Sequence, residues 1–179
     1  MTTTNNTVLV VVDVQGKLAQ CMDDKDALFK HLSIMVQGAK LLDIPIIWVE
    51  QNPQKLGATI AEVSQHLSDQ TPIAKMTFSC YQTAEFSQML NQLDREHVLV
   101  CGIESHICVY QTVLDLYQAD YLVSLLCDAT SSRQRYQKDI TIQKLVQLGI
   151  PITSVEMALF ELMKTADHPR FRDIQALLK

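Results

Sequence analysis

The sequence predicts a single α/β domain spanning residues 1–179, a parallel sheet with helices on both faces. Short runs rich in Val, Ile and Leu carry that prediction. They are too short for helices and lack the alternation of a half-exposed strand, so they read as strands buried on both sides. Between them lie segments with apolar residues at helical spacing, and strands alternating with helices imply parallel crossover connections. No linker, low-complexity tract or internal repeat breaks the pattern.

Val8 to Val12 forms the first run and stops at Asp13. Residues 25–42 carry a helical stripe of Leu28, Leu32, Met35, Val36, Ala39 and Leu42. Ile44 to Val49 is the second strand, with Pro45 at its start, where a missing N–H is tolerated; it ends in Glu50 and Gln51. Residues 51–71 are polar, hold Pro53 and Gly57, and read as a long loop with one short helix (Ile60, Val63, Leu67), the kind of excursion that shapes sites. Pro72 to Lys75 is a short third strand, and Phe86, Met89, Leu90 and Leu93 mark the helix after it. Val98 to Cys101 is the fourth strand, broken at Gly102, with a helix from about 106 to 118 for which Ser105 reads as the N-cap. Tyr121 to Cys127 is the fifth strand. A helix through Ile140, Leu145, Val146 and Leu148 follows it and closes at Gly149. Ile150 to Thr153 is the sixth strand, and residues 156–164 and 171–178 are helical on either side of His168-Pro169.

A chain of 179 residues buries roughly 70 % of its unfolded surface, so it folds without a disulfide or metal staple. Its five cysteines (Cys21, Cys80, Cys101, Cys108, Cys127) form an odd set with no C-x-x-C pair, which predicts a reduced, cytoplasmic compartment. The net charge of −5 gives no electrostatic attraction to nucleic acid or an anionic membrane. Residues 1–6 carry no basic side chain and the apolar run after them ends at Asp13, so neither a signal peptide nor a membrane span is expected. There is no G-x-G-x-x-G and no phosphate-binding G-x-x-x-x-G-K-[ST], and the five histidines lack zinc-ligand spacing. The expected partner is a small-molecule substrate.

Sites in open parallel sheets form beyond the carboxyl ends of the strands. Those ends hold Asp13, Glu50 with Gln51, Lys75, Gly102 to Glu104, and Asp128. Just past the fourth strand, Cys108 falls in the first helical turn, where free N–H groups and the helix dipole favour a thiolate. On that stretch alone a nucleophile and an inert buried thiol are both open. A cysteine nucleophile needs a proton acceptor and something to orient it; Asp13 can take the proton and Lys75 can hold Asp13. His106 stands two positions from Cys108 and points elsewhere on a regular helix. Cys101 and Cys127 sit inside apolar strand runs and read as core. Asp128, with Ser131, Ser132 and Arg133, can bind substrate or cap the next helix, and capping is the favoured reading. Gln15, Glu50, Gln51, Phe78, Ser105 and Tyr110 are candidate pocket residues by position.

Three segments, Val11-Val12-Asp13-Val14-Gln15, Ala74-Lys75 and Gly102-Ile103-Glu104-Ser105-His106-Ile107-Cys108-Val109, resemble the signatures of the isochorismatase-like cysteine hydrolases. Glu50-Gln51-Asn52-Pro53, Leu56-Gly57, Asp128-Ala129 and residues 158–162 are most similar to the isochorismatase domain-containing subgroup. The resemblance covers nearly the whole chain. It implies a three-layer fold with six parallel strands in the order 3-2-1-4-5-6, and an Asp13–Lys75–Cys108 catalytic triad. It also implies a cis peptide between Ile103 and Glu104, and an oxyanion hole from the backbone N–H groups of Glu104 and Cys108. Activity would be hydrolysis of a small amide-type C–N bond through a thioester, without cofactor or metal, in a homo-oligomer. True isochorismatases lack the cysteine, so its presence favours the amidase branch over ether cleavage. Metal-dependent nicotinamidases carry Asp-x-His after the second strand. Glu50-Gln51-Asn52 stands there instead, which counts against nicotinamide and against bound zinc or iron. Two rival readings are a non-catalytic interaction protein that retains the triad and a redox-sensing thiol protein. The second lacks a resolving cysteine adjoining Cys108 in sequence.

Overall fold

In the computed structural model, which describes residues 2–179, six parallel strands make one sheet. They are β1 (Thr7–Val12), β2 (Ile46–Gln51), β3 (Ile73–Lys75), β4 (His97–Ile103), β5 (Leu122–Ser131) and β6 (Ile152–Thr153). Their spatial order is β3-β2-β1-β4-β5-β6, so the chain runs outward from β1 to one edge, returns to β4 and runs to the other. The reversal between β1 and β4 opens the crevice in which such sheets hold their ligands.

β1 is buried along its whole length and its alternate side chains feed two apolar layers. Leu9 and Val11 join Ile46, Trp48, Leu99 and Cys101. Against them pack α2 (Lys25–Leu41), α8 (Val155–Met163) and α9 (Phe171–Leu178). Val8, Val10 and Val12 join Ile47, Val49, Val98 and Val100 on the other side. That side is covered by α5 (Ala84–Leu93), α6 (Tyr110–Gln118) and α7 (Arg135–Gln147). Each fully buried Val or Leu contributes on the order of 1.5–3 kcal/mol, which is why these runs dictate the sheet.

Some elements differ from the sequence expectation. A short helix α1 (Gly16–Gln20) follows β1, and the 51–71 stretch holds two short helices, α3 (Pro53–Leu56) and α4 (Ala61–Ser64), rather than one. The helix expected over 106–118 opens as a π-helical turn, Ser105–Val109, before α6 begins. β5 runs on to Ser131 because its register with β4 slips: Val100 faces Leu125 but Gly102 faces Thr130. Cys127 and Asp128 lie in the resulting bulge. There Asp128 accepts the Val155 N–H at 2.9 Å, so it caps α8 and not the helix that follows β5. β6 is limited to Ile152 and Thr153. Among the described residues no helix is long and apolar enough to cross a membrane.

Candidate active site

The carboxyl ends of β1 and β3 bring Asp13 and Lys75 together. Asp13 takes a left-handed backbone (φ 55°), a region that aspartate enters more readily than most residues. This breaks the strand alternation at the last turn of β1. Lys75 Nζ reaches Asp13 Oδ2 at 2.8 Å, and its side chain is wholly buried. Nζ is also 2.6 Å from Gln51 Oε1 and 3.0 Å from each of the Thr77 and Phe78 carbonyl oxygens. A buried ion pair loses the hydration of both partners and persists where further hydrogen bonds replace it. The cage around Nζ supplies them.

Cys108 lies in the π-helical turn, 8 % exposed, in the apolar layer shared with α5, α6 and α7. Asp13 Oδ1 is buried and holds no hydrogen bond of normal geometry. The Cys108 thiol acts on the same carboxylate at looser geometry, close enough for each group to shift the other's pKa. Burial raises the Asp13 carboxyl above its usual 3.8, opposed by the charge and hydrogen bond of Lys75, the thiol and the Gln51 N–H. Burial also pushes the Cys108 thiol up, and the Asp13 charge pushes it further, with Lys75 opposing. The expected bias toward thiolate is therefore overturned. Desolvation and a neighbouring carboxylate both disfavour the thiolate here.

Gly102, at φ 116°, lets β4 pass against Val12; a Cβ there would run into the Val12 carbonyl oxygen. The next peptide bond, Ile103–Glu104, is cis. The Glu104 carbonyl accepts the Ile107 and Val109 N–H groups at 3.0 and 3.3 Å, and its carboxylate takes the Arg133 Nε–H at 3.0 Å. Ser105 is not the expected N-cap. Glu104 occupies that position, and the Ser105 hydroxyl meets Thr130 Oγ1 at 3.0 Å. Thr130 Oγ1 lies 2.8 Å from the Gly102 carbonyl oxygen, to which it donates. His106 Nδ1 pairs with the Ser132 hydroxyl at 2.9 Å.

Most of the candidate pocket side chains are engaged by the protein itself. Gln15 is fully buried; its Nε2 donates to the Gln51 and Gly57 carbonyls at 3.0 and 2.7 Å, and its Oε1 accepts the Gln51 N–H at 2.7 Å. It ties β1, β2 and the following loop together instead of facing a ligand. Glu50 points to the opposite layer, where it accepts the Thr59 N–H and hydroxyl, both at 2.7 Å. Tyr110 is half-buried, with Lys144 Nζ 4.6 Å from its ring centre. Phe78 alone of the set is largely open, at 56 % exposure. Two neighbours of the site carried no sequence signal of their own: Cys80, whose thiol burial pushes up to about 12, and Thr112, whose hydroxyl accepts the Cys80 N–H at 2.9 Å. Thr112 stands four residues after Cys108, a spacing that places two helical residues on one face. A cavity of about 450 Å³ lies at the far end of β4 and β5, lined by His97, Leu122, Met157 and Glu161, away from this chemistry. Among the described residues no three His, Cys, Asp or Glu side chains come together to hold a metal ion.

Residues 7–157 match the family model of the isochorismatase domain. The chain is 36 % identical to the secreted isochorismatase effector Isc1 of Phytophthora sojae, over 98 % of this chain and 85 % of that protein. It is 30 % identical to isochorismatase domain-containing protein 2 of Danio rerio, over 98 % and 88 % of the two chains. Among solved structures, MAR1 ribonuclease from Caenorhabditis elegans superimposes with a TM-score of 0.92 at 30 % identity, covering 99 % of this chain and 91 % of that one. Sheet order, extent of match and identity agree, and the chain belongs to the isochorismatase family of hydrolases.

Proposed function

We propose that this protein is a cysteine hydrolase that cleaves an amide-type C–N bond of a small molecule. The observation that carries the reading is the buried Lys75–Asp13 ion pair at 2.8 Å, beside the Cys108 thiol, which lies close enough to the Asp13 carboxylate for each to shift the other's pKa. As Sγ attacks the substrate carbonyl, the thiol proton passes to Asp13 and the C–S bond forms. Negative charge gathers on the carbonyl oxygen, toward which we direct the Glu104 and Cys108 N–H groups. Protonated Asp13 then gives its proton to the leaving nitrogen as the C–N bond breaks, leaving a thioester. A water molecule, deprotonated by Asp13, attacks that thioester; the acid departs and the thiol is restored. Lys75 keeps Asp13 oriented and ionisable in an interior that resists charge.

The structural neighbour's name assigns ribonuclease activity to that protein. For this chain, the net charge of −5 supplies no counterpart to the basic surface that phosphate backbones require. Five free thiols support a reducing compartment, the cytoplasm in our reading. Exposed Tyr136, Ile140 and Val146 along α7 support a homo-oligomer.

The test is turnover of a panel of small amides, ureides and N-carbamoyl compounds by wild type, Cys108→Ala and Cys101→Ala. Cys101 lies in the opposite apolar layer and serves as the control thiol. Wild type and Cys101→Ala should hydrolyse at least one compound and form an adduct with iodoacetamide at Cys108, and Cys108→Ala should do neither. A wild type that turns over nothing and resists labelling at Cys108 would sink the proposal.

A further inference from the structure

Gln51 stands between the two charged members of the site. Alternate side chains of β2 face opposite layers, with Ile47 and Val49 on the α5–α7 side and Ile46 and Trp48 on the other. Gln51 continues the first series. Across the β2–β3 ladder it is the register partner of Lys75, which brings its Oε1 to 2.6 Å from Nζ. The Nε2 of the same amide donates to the Met76 carbonyl at 3.0 Å. Its backbone N–H, accepted by Gln15 Oε1 at 2.7 Å, also acts on the Asp13 carboxylate. One residue therefore touches the cation, the carboxylate and the segment whose Thr77 and Phe78 carbonyls complete the cage.

An ammonium group has three protons to donate. Here they meet one carboxylate and three neutral oxygens. A second carboxylate in place of the Gln51 amide would divide the lysine's charge between two anions and set a like charge beside Asp13. An apolar side chain there would leave Nζ free to lean away from Asp13. Only a neutral acceptor both holds Nζ and leaves its charge to Asp13.

We infer that Gln51 is a positioning residue of this site: its neutral amide aims the Lys75 ammonium at Asp13 without diluting that charge, and ties the 76–78 segment to the pair. The inference rests on the reading of Asp13, Lys75 and Cys108 as the reacting set. The titratable groups bearing on Asp13 are Lys75 from β3, Cys108 from the π-helical turn and Cys80 from the loop before α5. The acid limb of the kcat/KM profile reads Asp13 through that set.

Gln51→Glu and Gln51→Met separate charge from shape. In Gln51→Glu the acid limb moves to higher pH, with a roughly tenfold loss of kcat/KM on the limb that recovers as pH rises. In Gln51→Met the limb moves up by less than in Gln51→Glu, because Nζ leans away and no second anion is added, while kcat falls roughly tenfold across the profile and KM changes little. Alkylation of Cys108 by iodoacetamide as a function of pH gives a second readout that needs no substrate. Its midpoint rises in Gln51→Glu and rises by less in Gln51→Met. An unmoved limb and midpoint in Gln51→Glu overturn the inference, as does an upward shift in Gln51→Met equal to that in Gln51→Glu. Failure of Gln51→Met to fold also overturns it, by making Gln51 a residue of the fold. If Gln51→Glu does not fold, Gln51→Met decides alone: an unchanged kcat with an unmoved alkylation midpoint overturns the inference. If wild type hydrolyses no compound of the panel, the hydrolase reading fails and the alkylation curves alone judge Gln51.

Discussion

At the scale of single residues, the electrostatics of Cys108 run against the usual picture of an activated cysteine. Its thiol is raised by burial and by Asp13, and only Lys75 opposes them. The group we propose as its base is therefore one of the groups that disfavour its thiolate. Asp13→Asn removes that negative charge and leaves Lys75 in place, so the thiol should ionise more easily, and the pH midpoint for iodoacetamide alkylation should fall. Hydrolysis should drop by about 10²–10⁴-fold in the same variant, because the proton then has no acceptor. A midpoint that rose or stayed put would show that Asp13 does not face the thiol. Strand ends alone pointed to Asp13 and Lys75, and the strand–glycine–helix pattern pointed to Cys108. The direction of the side chains was not legible. It depends on the left-handed backbone at Asp13 and on which layer each β2 residue faces, and so Gln15 and Gln51 passed for pocket residues when their amides are engaged inside the protein.

The element that sets the geometry is the passage from β4 into the π-helical turn. Gly102 crosses Val12 with no room for a side chain, in a backbone region that L-residues rarely enter. Gly102→Ala should therefore destabilise the protein by about 3 kcal/mol or more, a drop of roughly 6–12 °C in Tm for a chain of this size. Denaturant or thermal unfolding measures it, and a change within about 0.5 kcal/mol, typical of surface positions, would mean that the close approach is not maintained in solution. The sequence showed that a break comes at Gly102, since a strand run stops there. It did not show that Ser105 would turn to Thr130 instead of capping. That partner arrives through a register slip 25 residues later, in which Val100 faces Leu125 and Gly102 faces Thr130. Local capping preference lost to a tertiary hydrogen bond. The same slip explains Asp128, which caps α8 from inside the bulge.

Over the whole molecule, the sheet order follows from burial. The strands that are buried at every position, β1 and β4, take the centre, and the short strands β3 and β6 take the edges. The buried strands were legible because continuous apolar runs leave no solvent face; their order came from the family resemblance. The far end of the sheet was not legible, since a polar residue inside a strand carries no sign of its partners. His97 is the case in point. It opens β4, buried, with Nδ1 3.3 Å from the Thr7 hydroxyl and Nε2 3.1 Å from the Ser124 hydroxyl, thus linking β1, β4 and β5. Burial lowers its pKa below the ordinary 6.5, with the charge of Glu161 opposing. The unfolded chain then binds a proton near pH 6.5 that the folded protein resists. Stability contributed by neutral His97 is complete above that value and is lost as pH falls toward the depressed folded pKa. His66, lowered by burial and by Lys40, adds a dependence of the same sign, while the raised Asp13 opposes it. Urea midpoints measured from pH 7.5 down to 5 should decline in wild type. The decline should be clearly shallower in His97→Gln, which keeps a polar side chain between the two hydroxyls but cannot be protonated. If His97→Gln keeps the full wild-type slope, the proton is taken up elsewhere, and His97 does not link the pH response to the central strands.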